Sequence, residues 1–317
     1  MSLRRNPILI DTDAGVDDAL AIIYAMRSPE IRVRAITTVA GNVEVDKCTR
    51  NVRLLLEYFS DAEKPEVVQG ARKPMKADLV TAPEVHGVDG LGNTQPRQRH
   101  AQRSGGDRGA ECIRDFCEAY SGQLIVVALG PLTNIARALK KYPKSLSKLK
   151  RIVTMGGAFR VPGNTGPVAE FNYFVDPHAA HTVMNSGLPI TVVPLDLTQQ
   201  MVFTRTEALQ ATRGSGSRLS AFVLQFTRGY MRYHLKTEGF DGGFLHDPMA
   251  VAIAADSSLA RVLSMHVDVE QSSRLTRGMS VADFRRKPDA TAPLVEIALA
   301  VDKKRFRKHF FQRVFQF

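Results

Sequence analysis

Four carboxylates fall within eight residues just where an apolar run ends. In Ile8-Leu9-Ile10-Asp11-Thr12-Asp13-Ala14-Gly15-Val16-Asp17-Asp18-Ala19-Leu20-Ala21-Ile22, the acidic residues sit between a strand-like and a helix-like segment. Mutual repulsion among Asp11, Asp13, Asp17 and Asp18 is relieved by a hard metal ion, and oxygen-only ligands favour Ca²⁺ or Mg²⁺ over zinc. Helix capping and charge–dipole placement account for Asp17 or Asp18 singly, but not for all four. An EF-hand does not fit, because the twelfth position counted from Asp11 is Ile22, where that loop needs a bidentate Glu. The competing reading is a DxDx(T/V) phosphotransferase with Asp11 as nucleophile, although Gly15 stands where that motif has Thr or Val.

Other polar groups recur beside strand ends or in Gly-rich loops: Thr37–Asn42, His86–Gly92, Leu129–Asn134, Gly156–Ala158 with Gly163-Asn164, Glu170-Phe171-Asn172 and His246-Asp247-Pro248. Singly, each has a bland explanation: Asn134 could cap a helix, Asn42 could close a turn. Together, Asn42, Asn164, Glu170 and Asn172 supply hydrogen-bonding groups suited to the vicinal hydroxyls of a sugar, with no glycine-rich phosphate cradle beside them. His246-Asp247 precedes Pro248 at a helix entrance, which places an acid and a metal ligand side by side.

These residues need a scaffold, and the sequence spells one. Val-, Ile- and Leu-rich runs alternate with helical patterns, the signature of βαβ units around a mostly parallel sheet. Strands are expected at Pro7–Thr12, Val33–Thr38, Gln123–Leu129, Arg151–Met155 and Pro189–Val193, and later at Ser264–Val269 and Leu294–Val301. Helical spacing marks Asp17–Met26, Asp46–Phe59, Leu132–Lys140, Pro177–Asn185, Ser220–Lys236, Pro248–Ala255 and a terminal helix from Lys303. Pro74–Gly109 and Gly156–Asn172 resist regular assignment and read as active-site loops. The fold class is α/β, an open mixed sheet flanked by helices with a Rossmann-like core, and no linker divides residues 1–317, so one domain is expected.

Composition narrows the function classes. The three cysteines, Cys48, Cys112 and Cys117, fit neither a disulfide framework nor a zinc knuckle and suggest a reducing, cytoplasmic setting. No apolar run reaches a membrane span, and Met1 to Pro7 lacks the core of a signal peptide, so neither membrane nor export is expected. The net charge of +11 invites nucleic acid as a partner. Its concentration at Lys140–Arg151 and Lys303–Lys308 reads instead as solvated helix faces, and no nucleic-acid partner is expected.

The ordered set of motifs resembles the inosine–uridine preferring nucleoside hydrolases. It runs from DTDAGVDDALAI (family pattern DxDPGxDDxxAI) through TTVAGN, HGVDGLG, GPLTN, MGGA, EFN and HDP to GMSVADFR. Ala14 departs from the family's usual Pro, with a slight change of loop geometry expected. The resemblance implies that Asp13, Asp18, Asp247 and the carbonyl of Leu129 hold Ca²⁺. It puts Asp17, Asn42, Asn164, Glu170 and Asn172, with Asp247, on the ribose, and His246 beside the leaving base, with His86 in the same pocket. It also implies a homodimer or homotetramer.

Chemical need assigns roles to these positions. Breaking C1′–N leaves positive charge on the ribosyl ring and negative charge on the base, so both must be stabilised. Calcium lowers the pKa of a water, Asp13 takes its proton, and protonated His246 delivers one to the base. By resemblance, purine-specific relatives sandwich the base between tryptophans. This chain has no Trp, and His86 stands in the corresponding loop, so broad, inosine–uridine or pyrimidine specificity is expected. Tyr230, Tyr233 and His234 either help line the base pocket or pack in the core.

Overall fold

A computed structural model of the chain describes residues 5–59, 63–94, 106–213, 216–285 and 293–316. Residues 1–4 of the amino terminus and 95–105 of the irregular stretch lie outside the described residues. The strands are β1 (Asn6–Thr12), β2 (Ile31–Thr38), β3 (Glu66–Gln69), β4 (Ile125–Ala128), β5 (Arg151–Met155), β6 (Ile190–Val193), β7 (Val202–Thr204), β8 (Gly242–Phe244), β9 (Ala260–Val269), β10 (Ser280–Ala282) and β11 (Leu294–Val301). Nine of them form one sheet in the order β10-β9-β11-β6-β5-β4-β1-β2-β3, while β7 and β8 pair separately. From β3 to β6, and on to β11, every pairing is parallel; β9 and β10 add antiparallel partners at one edge.

The run β3-β2-β1-β4-β5-β6 is the strand order of a doubly wound nucleotide-binding sheet, so the chain reverses direction across the sheet between β1 and β4. That reversal opens a crevice at the carboxyl ends of the two strands. Alternation along β1 explains the layers on either side. Ile8 and Ile10 enter one core with the helices Val16–Met26 and His246–Ala255, whereas Leu9 enters the other with Gly109–Ala119 and Thr133–Lys141. Leu9 is fully buried, so truncation to Ala would cost roughly 2–5 kcal/mol.

Two helices are apolar on every side. Val16 through Ala25 are all buried, as are His246 through Ala255, which fits helices enclosed by the sheet and by other helices rather than facing water. Both begin at the crevice. Among the described residues no helix is long and apolar enough to cross a membrane. The basic runs are partly spent on ion pairs: Lys141 with Glu111, Lys148 with Glu118, Arg305 with Asp256 and Arg307 with Glu207. Arg151 turns inward, its guanidinium donating to the Ile253 and Ala254 carbonyls at the far end of the second enclosed helix.

Candidate active site

The acidic loop leaves β1 at the switch point. Asp17 and Asp18 occupy the first turn of Val16–Met26, and Asp247 the first turn of His246–Ala255. Two helix N-termini thus meet at one group of carboxylates, each favouring nearby negative charge by about 0.3–2 kcal/mol. One oxygen from each of Asp17, Asp18 and Asp247 lies within 4.8 Å of the others, and all three residues are buried. Asn42 bridges Asp13 and Asp18, and the charges of these two carboxyls repel one another. Asp13 is fully buried with Oδ1 unpartnered. Buried carboxylates at this spacing, one with an orphaned oxygen, fit a hard cation. The expected ligands Asp13, Asp18 and Asp247 are therefore neighbours, but the tightest trio includes Asp17, which had been expected on the sugar.

Local hydrogen bonds explain why the loop holds this shape. Thr12 Oγ1 donates to Asp18 Oδ1 at 2.5 Å and accepts from Ala14 N at 3.0 Å. Gly15 N donates to Asp18 Oδ2 at 2.9 Å. Asn42 ties both carboxylates to the β2 loop: its backbone N donates to Asp13 Oδ2 at 2.7 Å and its Nδ2 to Asp18 Oδ2 at 3.1 Å. Behind the loop, Cys48 Sγ donates to the Asp13 carbonyl and Asn51 Nδ2 to those of Ala14 and Asp89. A Cβ on Gly41 would collide with the Asp13 carboxylate, so that close approach requires glycine. Ala14 has φ of 45°, a left-handed conformation that a proline ring cannot adopt, and its N–H is in use.

Above the cluster lies a cavity of about 560 Å³, within the size range of small-molecule sites. Asp17, Asn42, His86, Leu129, Asn164, Glu170, Asn172, His246 and Asp247 all line it, although they come from six separate stretches of chain. Asp13 and Asp18 lie beneath, fully buried. Glu170 caps the helix Phe171–Val175 through Asn172 N and Tyr173 N and also accepts from Gly157 N. Asn172 Nδ2 donates to the Leu129 carbonyl at 2.8 Å, engaging one lone pair of the oxygen expected on the metal. Asn164 Oδ1 accepts from Phe171 N, which ties the loop of Gly163 to this cap.

Burial dominates the electrostatics. It raises Asp13, Asp17 and Asp247 well above the ordinary carboxylate range, with repulsion among the cluster's carboxylates adding to it; Asp18 is also raised. It pushes Glu170 up to about 7 despite three backbone donors. His246 is pushed down to about 3 by burial and then by His234 and His86. Thr198 Oγ1 stands 2.7 Å from His246 Nδ1. Burial thus favours the neutral over the charged imidazole. His86 Nδ1 accepts from Val16 N at 3.1 Å, so its separation of 3.9 Å from Asp17 is not an ion pair; burial pushes it, too, down to about 3.

Sequence reasoning missed several parts. Asn134, taken as a possible cap, bridges Asp11, the Thr38 carbonyl and Ala71 N, knitting three strand ends. Asp11 is fully buried, held by Thr37 and Asn134 and absent from the cavity wall, so it is not placed to be a phosphotransferase nucleophile. Gln199 and Phe244 also line the cavity without any sequence signal, together with Met155 of the MGGA motif and Val80–Val85 from the stretch read as an active-site loop. Tyr230, Tyr233 and His234 do face it.

The model of the inosine-uridine preferring nucleoside hydrolase family matches residues 8–308. The chain is 38% identical to an inosine-uridine preferring nucleoside hydrolase of Leishmania major, over 93% of this chain and 94% of that one. It is 37% identical to the pyrimidine-specific ribonucleoside hydrolase RihA of Salmonella schwarzengrund, over 95% of each. A solved structure of a purine-preferring ribonucleoside hydrolase from Gardnerella vaginalis superposes with a TM-score of 0.88 at 32% identity, over 97% of this chain and 98% of that one. With an Asp-floored cavity at the switch point and matches of this extent, the chain belongs to the inosine-uridine preferring nucleoside hydrolase family.

Proposed function

We propose that this nucleoside hydrolase cleaves inosine, uridine and related ribonucleosides with Ca²⁺ as its metal. Asp13, Asp18, Asp247 and the Leu129 carbonyl would hold the ion, with Asp17 at its edge. The observation that carries this reading is the buried carboxylate cluster at the foot of a cavity otherwise lined by sugar-binding amides. Bound there, a hard divalent cation supplies Lewis acidity toward water and the sugar hydroxyls.

The chain's own groups supply the rest. Asp13, with Oδ1 free, accepts the proton of the attacking water, and attack from the side opposite the base inverts C1′. Asp17, Asn42, Asn164, Glu170, Asn172 and Asp247 hold the ribose hydroxyls and favour the positive ring of the transition state. His246 donates a hydrogen bond from Nε2 to the departing base, its Nδ1 facing Thr198, with His86 on the same wall. Breadth toward the base fits a wall of His and Tyr without Trp, and the relatives differ in their own base preferences. We also read residues 1–317 as one domain of a cytoplasmic homodimer or homotetramer.

The test is release of reducing sugar from inosine and uridine, abolished by EDTA and restored by Ca²⁺. Phosphate release from phosphomonoesters without nucleoside cleavage would instead favour the phosphotransferase alternative.

A further inference from the structure

Thr198 does not spend its hydroxyl as the other helical threonines do. It closes the short helix Leu195–Thr198, which follows β6 and Pro194. That turn is tied down on several sides. Leu195 N donates to the Gly157 carbonyl at 2.9 Å, and the Asp196 carboxylate accepts from Phe159 N and Arg160 N at 2.8 Å each. Met201 N donates to the Thr198 carbonyl and Leu245 N to the Met201 carbonyl, both at 3.0 Å, which links the turn to the residue before His246. A helical threonine commonly donates to the carbonyl four residues back, and Thr49, Thr182, Thr212, Thr227 and Thr237 all do so. Thr198 is fully buried, and among the described residues its Oγ1 meets only His246 Nδ1, at 2.7 Å.

The hydrogen on that contact has a preferred owner. If Nδ1–H donated to Oγ1, the Thr198 hydroxyl hydrogen would be left without an acceptor in a fully buried place, and Nε2 would be an acceptor. If the hydroxyl donates to Nδ1, both groups are satisfied and Nε2 carries the hydrogen. Orphaning a buried donor favours the second arrangement by roughly 5- to 150-fold. Nε2 has no partner among the described residues, and His246 is part of the cavity wall, so this nitrogen is the one left for a ligand.

We propose that Thr198 is a positioning residue for cleavage of the C1′–N bond: by donating to Nδ1 it holds the His246 ring in one orientation and fixes the tautomer whose Nε2–H is offered to the departing base. This role rests on the nucleoside hydrolase reading of the cavity. Thr198 is absent from the cavity wall and acts only through His246. A ring that accepts at Nδ1 is also a better donor at Nε2, since linked hydrogen bonds polarise one another. The benefit falls on bases that gather negative charge as they leave, and little of it on a nitrophenolate, which is stable without a donor.

Thr198→Val removes the donor with little change of shape, and Thr198→Ser keeps the donor. On the metal-loaded enzyme the valine variant should lose roughly 10-fold in kcat on uridine with KM changed less than about two-fold, lose less than about three-fold on nitrophenyl riboside, and be rescued on uridine by serine. Equal losses on the two substrates, no loss on either, or a serine variant as impaired as the valine one overturns the role. If the valine variant does not fold, wild type decides. In metal-loaded enzyme carrying isotope-labelled histidine, with the His246 signals assigned by their loss in His246→Gln, nitrogen NMR near neutral pH should show the Nε2–H tautomer; the Nδ1–H tautomer overturns the role and leaves the nucleoside hydrolase reading intact. Wild type that cleaves neither substrate overturns both.

Discussion

Replacing Asp247 by Asn separates the metal from the fold. Asp247 has an oxygen within 4.8 Å of those of Asp17 and Asp18, a distance at which two unit charges repel by about 3.5 kcal/mol in an effective dielectric of ~20. Without a cation, much of that repulsion is avoided by proton uptake, which leaves about 2 kcal/mol as a reasonable cost to the cation-free protein. Asp247 stands beside the Asp18 carboxyl, to which an Asn amide can donate at any pH. The variant should therefore be more stable than wild type in chelator. For 317 residues the unfolding entropy is roughly 0.7 kcal/mol/K, so this gain corresponds to about 3 °C in Tm. Wild type in Ca²⁺ at about 100 times Kd gains ~2.7 kcal/mol, or about 4 °C. Differential scanning fluorimetry with and without Ca²⁺ reads both effects. A variant that is less stable in chelator and keeps the full calcium shift would refute the reasoning.

Asp13→Ala should lower kcat by at least about 10²-fold, since the proton acceptor is lost; near wild-type turnover would remove Asp13 from the mechanism. His246→Ala should cost about 10²–10⁴-fold on uridine but much less on nitrophenyl riboside, whose leaving group needs no donor; equal losses would argue against that role. Ala14→Pro, although it restores the family's usual residue, should destabilise the loop by more than about 2 kcal/mol, because φ of 45° and the bond from Ala14 N are both forfeited; urea denaturation tests this, and an unchanged midpoint contradicts it. Glu170 is held at about 7 against an ordinary 4.5, so the folded state keeps a proton that the unfolded chain loses first. Its contribution is full below about 4.5 and lost as pH rises through about 7, so in chelator Glu170→Gln should lose less stability than wild type between about pH 5 and pH 8.

The parts of the site that could be read from sequence were those whose cost is local. Four acidic residues within eight have no solution in an apolar strand–helix junction except a cation or shared protons, and they were visible at once. The parallel core was equally legible, because β1, β4, β5 and β6 are short, largely buried apolar runs between helical periods. β3 was not, since Glu66–Gln69 holds only two valines. The helix Gly109–Ala119 escaped because it starts at a glycine at the edge of a loop-like stretch, although Ala110, Ile113 and Cys117 carry its buried stripe. The turns Pro83–His86 and Phe171–Val175 are too short for any period to show. Asn134 and His234 were misjudged or left open for another reason. Their partners lie tens of residues away in sequence or are missing altogether, which only the folded chain displays.

The central claim is that water, not phosphate, takes the ribosyl group in the Asp-floored cavity. Its most direct test is to cleave uridine with the calcium-loaded enzyme in oxygen-labelled water containing phosphate, and then to analyse the sugar by mass spectrometry. The account predicts free ribose carrying the label at C1, and none from Asp13→Ala. Ribose 1-phosphate, or unlabelled ribose, would contradict it.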